Sequence, residues 1–401
     1  MAKNIIVLFL LPFVICCSAF AQNDTGSLHT SVVPDSPHLR ISIISGSPGT
    51  DIMETFGHIC IRVTDSTVSD RGRDLIYNYG FYDERVISAF RQWMDGRVIV
   101  FIETITYDQL IGEYTDKGRG LYEQVLLLDG SKKKKIQDFL KNNMRRENRY
   151  YEYDTYYDNC TTRVRDLFEK VFGNNFVPGQ ILPAKSRLTF RDVSMNKYCV
   201  EQHKYLFGLV MNLFYASRAD RVMSSREAMV DPVYLSDAMR LATIDGKKVC
   251  ADKTTLLENK LTWPSTVNGP FLIILIISII TIAGLLVPRL QMVGKVMSFL
   301  LLTGTGVLGC YMLYFWLKDC EPAWKDNFNV FWALPTNLII PYFSKKIKAK
   351  YAIVAMCLMG VSLVLHVFRV QEMPLFEIGS LLLALLFVYG RLYRAGATMR
   401  E

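Results

Sequence analysis

Phe56-Gly57-His58-Ile59-Cys60-Ile61-Arg62-Val63 alternates residue by residue from His58 onward. A strand places successive side chains on opposite faces, so Ile59, Ile61 and Val63 share one face and His58, Cys60 and Arg62 the other. Around this strand the chain reads Leu39–Ser45 as a strand, Gly46–Thr50 as a loop and Asp74–Tyr79 as a further strand. Glu84–Met94 then reads as a helix, Val98–Ile105 as a strand, Tyr107–Asp116 as a helix and Leu121–Leu128 as a strand. Helices are expected at Ser131–Asn143 and Cys160–Phe172. Several consecutive strands followed by helices make the class α+β, not a doubly wound sheet. Beyond Phe172 the pattern is helical and loop-rich, with Tyr205–Ser217 and Leu235–Thr243 as helices and the first of them read as a core helix.

The ends of the chain have a different character. Half of the 401 residues are hydrophobic, and the excess is concentrated at the two termini. Lys3, the apolar run Ile5–Ile15 and Ala19-Phe20-Ala21 read as a secretory signal over 1–21, followed by an extended leader over 22–38. Apolar runs at 271–287, 296–317, 328–343, 351–368 and 374–390 are each near the length of a membrane-crossing helix. Arg289 and Lys295, then Lys345, Lys346, Lys348 and Lys350, then Arg391, Arg394 and Arg400 fall on alternate loops, as the positive-inside rule requires. Five helices over 267–392 put the tail 393–401 in the cytoplasm and the preceding residues outside an inner membrane. The organisation expected outside is a catalytic domain over 39–175 and a helical extension with linker over 176–266.

A net charge of +8 does not point to nucleic acid, because the basic loops between the apolar runs account for much of it. The run Lys132–Lys135 precedes Ile136, Phe139 and Leu140 at helical spacing and reads as a solvated first turn. No Cys-x-x-Cys, His-x-x-x-His or phosphate-binding glycine loop occurs in the exported part, so no metal or cofactor is expected. Cys199 and Cys250 are candidates for a disulfide in an oxidising compartment, which leaves Cys60 and Cys160 as thiols.

Cys160, in Asp158-Asn159-Cys160-Thr161-Thr162, opens a helix behind a natural cap, where backbone N–H groups and the helix dipole favour thiolate. It is the expected nucleophile. A base must accompany it, and the exported part offers His29, His38, His58 and His203. His58 follows Gly57, whose missing side chain leaves room beside the ring, and it is the expected base. Asn78, on the next strand, is the leading candidate to orient the imidazole, with Glu54 and Tyr79 as alternatives. Arg163, Arg119 and Tyr79 are candidate substrate contacts.

A histidine on an early strand, followed about a hundred residues later by Asn-Cys opening a helix, resembles the circularly permuted papain-like fold of lecithin:retinol acyltransferase relatives and some NlpC/P60 proteins. The order Phe56–Val63, Tyr77-Asn78-Tyr79-Gly80 and Tyr153–Asp166, followed by membrane spans, resembles the Lnb N-terminal periplasmic domain family, the Bacteroides-type lipoprotein N-acyltransferases. The resemblance implies acyl transfer from a membrane phospholipid, through a thioester on Cys160 with His58 as base, to the α-amino group of a diacylated lipoprotein. It implies no cofactor and no nucleic acid, with the lipid bilayer as the working surface. Two other readings use the same residues: a cell-wall endopeptidase of NlpC/P60 type, and a non-enzymatic membrane-anchored assembly factor.

Overall fold

The computed structural model describes residues 38–68, 72–82, 91–92, 95–263, 266–318 and 322–397. The expected signal, nearly all of the leader, most of the expected helix Glu84–Met94 and the last four residues lie outside the described residues. The architecture is α+β, a sheet-rich domain followed by apolar helices.

The sheet has seven strands: β1 (Leu39–Gly46), β2 (His58–Asp65), β3 (Asp74–Tyr82), β4 (Ile99–Thr106), β5 (Leu121–Val125), β6 (Tyr150–Glu152) and β10 (Thr254–Leu257). They pair antiparallel in the order β10-β5-β1-β2-β3-β4-β6. Both faces are covered, which explains the apolar content of β1. Ile41 and Ile43 pack with Ile59, Ile61 and Val63 on one face, while Ile44 packs with Cys60 and Ile76 on the other. The first face lies under α2 (Gly130–Asn143) and α3 (Cys160–Phe172), which supply Ile136, Leu140, Val164, Leu167 and Phe168. The second lies under α1 (Tyr107–Asp116), which starts at a Thr106–Gln109 capping box and contributes Leu110 and Tyr114. Each fully buried Ile or Leu is worth about 1.5–3 kcal/mol relative to exposure.

Several expectations change. Lys133 is only 2% exposed, so the lysine run is not uniformly solvated; Lys132 and Lys134 meet Asp129 and Asp138. The expected strand Leu121–Leu128 ends early, because Leu126 leaves the ladder to bridge Cys250. The stretch 176–266 is woven into the sheet domain. The short strands β7 (Phe176–Val177), β8 (Thr243–Ile244) and β9 (Lys247–Lys248) form a second sheet, and β10 extends the first. A π-helix, Asp192–Val200, precedes α4 (Tyr205–Phe214), and α5 (Pro232–Leu241) packs under β1 and β5 with Gln124 and Ser236 hydrogen-bonded at 2.6 Å. Cys199 and Cys250 are free thiols in different apolar clusters, so the candidate disulfide is absent.

Among the described residues, four helices are long and apolar enough to cross a membrane: α6 (Gly269–Leu286), α7 (Gln291–Leu317), α8 (Lys345–Val367) and α9 (Leu375–Ala397). The third apolar run is not the expected helix. Pro335 and Pro341 interrupt it, and it forms 3₁₀ turns at Phe328–Phe331, Pro335–Leu338 and Ile340–Tyr342. It still passes from one end of the bundle to the other. Phe328 N–H donates to Gln371 at the end nearer the sheet, a Cβ on Gly309 would stand 1.7 Å from Ala333 O, and Asn337 reaches Thr305. At the far end Lys345 O lies against Gly396. Eleven of the residues from 328 to 343 lie in these 3₁₀ turns, and at about 2 Å rise per residue or more the whole run covers roughly 32 Å, the span that α-helices need about twenty residues to cross. Irregular backbone at membrane depth is tolerated where protein encloses it, and Trp332, Ala333, Asn337 and Ile340 are buried. Tyr351 and Tyr389 hydroxyls both donate to Asn337 Oδ1.

The sheet domain is fastened to the bundle. Lys318, following α7, pairs with Asp95 at 2.8 Å, and Asn327 and Asn329 donate to the Leu213 carbonyl of α4. Buried Arg191 and Asp220 form a bidentate pair, and Asp220 also accepts the Glu372 N–H.

Candidate active site

The head of α3 is built by its cap. Asn159 is extended, and its Oδ1 accepts both Thr161 N–H and Thr162 N–H at 2.9 Å, while Thr162 Oγ1 accepts the Asn159 N–H at 2.8 Å. Asn159 O takes the Arg163 N–H. These bonds occupy the first-turn amides other than that of Cys160 itself. Val164, Leu167 and Phe168 anchor the helix in the core, so the half-buried Cys160 thiol sits at a fixed corner.

His58 is the first residue of β2. Gly57 before it has φ +74°, and a Cβ there would stand 2.7 Å from Gly46 O. Its role is therefore a left-handed turn with close backbone approach. Room beside the ring comes from Gly80 instead, where a Cβ would meet His58 Cε1 at 2.8 Å and Asn78 Oδ1 at 3.0 Å. Asn78 and Gly80 are placed by a β-bulge, since the β3–β4 register shifts between Asn78 and Phe81. Asn78 Oδ1 accepts the Gly80 N–H at 2.8 Å, which fixes the amide orientation, and lies 2.7 Å from His58 Nε2. An oxygen facing Nε2 requires Nε2–H, leaving Nδ1 unprotonated in the neutral ring.

Cys160 Sγ meets the His58 imidazole, the Ile59 N–H and Thr161 Oγ1, the last at 3.8 Å. Burial pushes the thiol up, but the imidazolium, its hydrogen bond, Thr161 and the Ile59 amide outweigh it and hold the thiol below its ordinary range. Burial pulls His58 down, yet the thiolate and the bonds to Cys160 and Asn78 raise it. Both shifts favour a thiolate–imidazolium pair. Cys60, two residues along, is fully buried and is pushed far up, so it stays a thiol.

The other candidates are dispersed. Tyr79 is buried, its hydroxyl bonded to Asn143 at 2.7 Å and burial pushing it up to about 12. Arg163 is bound bidentately by Asp158 and stacks 4.1 Å over the Tyr151 ring. Arg119, 3% exposed, donates to Ser47 O and pairs with Glu54. Glu54 is thereby committed to Arg119 and Lys117, away from the imidazole. His203 bonds Tyr205, and His38 lies at the start of β1; His29 is outside the described residues. Sequence reasoning missed Gly80, the Ile59 amide and Tyr151, whose hydroxyl donates to Tyr79 O at 2.5 Å beneath Arg163. The glycine following Asn78 and Tyr79 was a usable signal for the first. The three-residue strand carrying Tyr151 gave none.

Two family models match this chain. The Lnb N-terminal periplasmic domain matches residues 33–190, and the Lnb transmembrane domain matches residues 262–397. No curated protein and no solved structure matches.

Proposed function

The chain belongs to the Lnb family and carries both of its domains in order, as a membrane protein with a periplasmic domain; from that premise we propose that it is a cysteine-dependent lipoprotein N-acyltransferase. The observation that carries this reading is the capped α3 thiol set against an imidazole whose tautomer Asn78 and Gly80 define. Cys160 thiolate attacks the ester carbonyl of a phospholipid. The carbon–oxygen bond breaks, His58 gives its proton to the departing lysophospholipid, and an acyl thioester remains. The α-amino group of a diacylglyceryl-cysteine then attacks that thioester. His58 takes the amine proton, the carbon–sulfur bond breaks, and thiolate is restored with an amide as product.

Each tetrahedral intermediate carries an oxyanion. The Cys160 N–H is the first-turn amide that Asn159 leaves for it, which narrows the donors to one position at the helix head. Asn78 holds the ring through both steps. Both substrates are lipids, which accounts for fastening a thiol enzyme to so much membrane. On this reading the bundle sits in the inner membrane with the C-terminus cytoplasmic, in keeping with Arg289, Lys345 and Arg391 lying at the end of the bundle where Arg391 meets Leu285 O and Gly396 meets Lys345 O, opposite the end where Lys318 pairs with Asp95.

The test is mass spectrometry of lipoprotein N-terminal peptides from cells carrying Cys160→Ala or His58→Ala. Triacylation is expected to disappear in both, with the full-length protein still in the membrane, and wild-type enzyme incubated with phospholipid should carry a hydroxylamine-labile acyl group on Cys160. Normal triacylation in either variant would sink the assignment.

A further inference from the structure

Three basic side chains of the sheet domain are each committed to a protein acceptor. Arg163 is held by Asp158, Arg119 by Ser47 O and Glu54, and Lys204 by Gly49 O, Asp51 O and Thr55 Oγ1. Lys253 differs. Its ammonium lies 5.6 Å from the centroid of the Tyr122 ring, and among the described residues it has no carboxylate partner. It stands just before the edge strand β10 and lines a cavity of about 270 Å³, together with Phe56, Gly57, Tyr198, Pro232 and Asn259. Gly57, the residue bonded to His58, forms part of the cavity wall, while His58 and Cys160 are not themselves in its lining.

The lining has two characters. Lys253 and Asn259 supply a cation and an amide. The floor is apolar, with Phe56 edge-to-face on Tyr198 at 5.6 Å and against Phe207 at 6.3 Å. Tyr198 belongs to the π-helix, a geometry concentrated at functional sites. Phe56 and Tyr198 belong to the apolar cluster that runs through Leu209 and Phe214 of α4 to Met312 and Phe315 of α7 and Leu385 of α9. A cation without a carboxylate partner, sharing a cavity with aromatic rings that pack into the cluster reaching the membrane helices, suits a group anionic at one end and aliphatic at the other. The volume is below that of a pocket enclosing a whole drug-sized ligand, so it suits a headgroup and not a lipid.

We propose that this cavity is the phosphate subsite of the acyl donor, with Lys253 as its electrostatic anchor and Asn259 as a second donor. The inference rests on the acyl-transfer reading of the neighbouring thiol. In a glycerophospholipid the phosphate and the reactive ester are a few bonds apart. A phosphate held at Lys253 therefore keeps the leaving oxygen near His58, the group that must protonate it.

Full-length protein in detergent tests this in two arms. In the first, Cys160 acylation is followed by intact mass with dihexanoylphosphatidylglycerol and with the phosphate-free ester p-nitrophenyl hexanoate. In Lys253→Gln the ratio of the two rates should fall about tenfold, the loss expected for one charge-assisted hydrogen bond, and Lys253→Arg should recover it. In the second, ³¹P line broadening reports dihexanoylphosphatidylglycerol binding to Cys160→Ala, which should weaken about tenfold when Lys253→Gln is added. Inorganic phosphate should compete only weakly. An unchanged rate ratio, whether both rates fall or neither does, overturns the subsite, as does unaltered binding; equal affinity for inorganic phosphate overturns its assignment to a lipid. Absence of any phospholipid-derived thioester on wild-type protein would instead count against the acyl-transfer reading, while the binding arm, which needs no chemistry, still decides the role of Lys253.

Discussion

His58 and Cys160 work against the same opponent. Burial alone would push the thiol up and the ring down, and each group is drawn back first of all by the other. Removing His58 therefore leaves burial opposed only by Thr161 and the Ile59 amide, and the Cys160 thiol should move up. With iodoacetamide, the wild-type alkylation rate should hold to pH values below the ordinary thiol range, whereas in His58→Ala the midpoint should shift to higher pH and the rate at neutral pH should drop. An identical profile in the two proteins would mean that the pair does not share charge. At this scale much was readable from residue types alone, because four exported histidines and four exported thiols are few enough to sort by local pattern. The reason for Gly57 was not readable, since a positive φ and a close carbonyl are properties of a fold. Nor were the fates of Arg119 and Arg163, since a sequence does not show which carboxylate an arginine will find.

Elements carry the next level of constraint. The bulge in β3 brings Asn78 and Gly80 to the His58 ring, and the site tolerates no side chain at Gly80. Gly80→Ala should displace the ring or the Asn78 amide and lower kcat/KM on the order of 10²-fold, as expected for a reacting group moved by about an ångström. Thermal melting should show that the protein still folds; full activity in this variant would contradict the geometry. The strands β1 to β4 and helices α1 to α3 were legible because each keeps one period over its length, even where, as in β1, both faces are buried. The third apolar run was not, because hydropathy reports burial and is silent about backbone geometry, so Trp332 and Ile340 read as helix although Pro335 and Pro341 prevent one. β10 escaped notice for a related reason: four residues, two of them Thr, gain strand geometry only by pairing with β5.

At the scale of the whole molecule, the third run joins opposite ends of the bundle, so on the proposed reading it adds a fifth crossing to the four membrane-length helices found among the described residues. Green fluorescent protein fused after Glu401 should therefore fluoresce, and alkaline phosphatase at the same position should be inactive; the reverse pair of results would invert the bundle. The third crossing also dictates a history. An apolar α-helix satisfies its own backbone and can enter lipid alone, but a chain of 3₁₀ turns broken by prolines has amides and carbonyls that only protein can shelter. Gly309 lets it lie against α7, and Tyr351 of α8 and Tyr389 of α9 serve Asn337 from the far side. Two of these three partners are made after the segment itself. The contacts that shelter the segment are therefore complete only once the last two helices have been made.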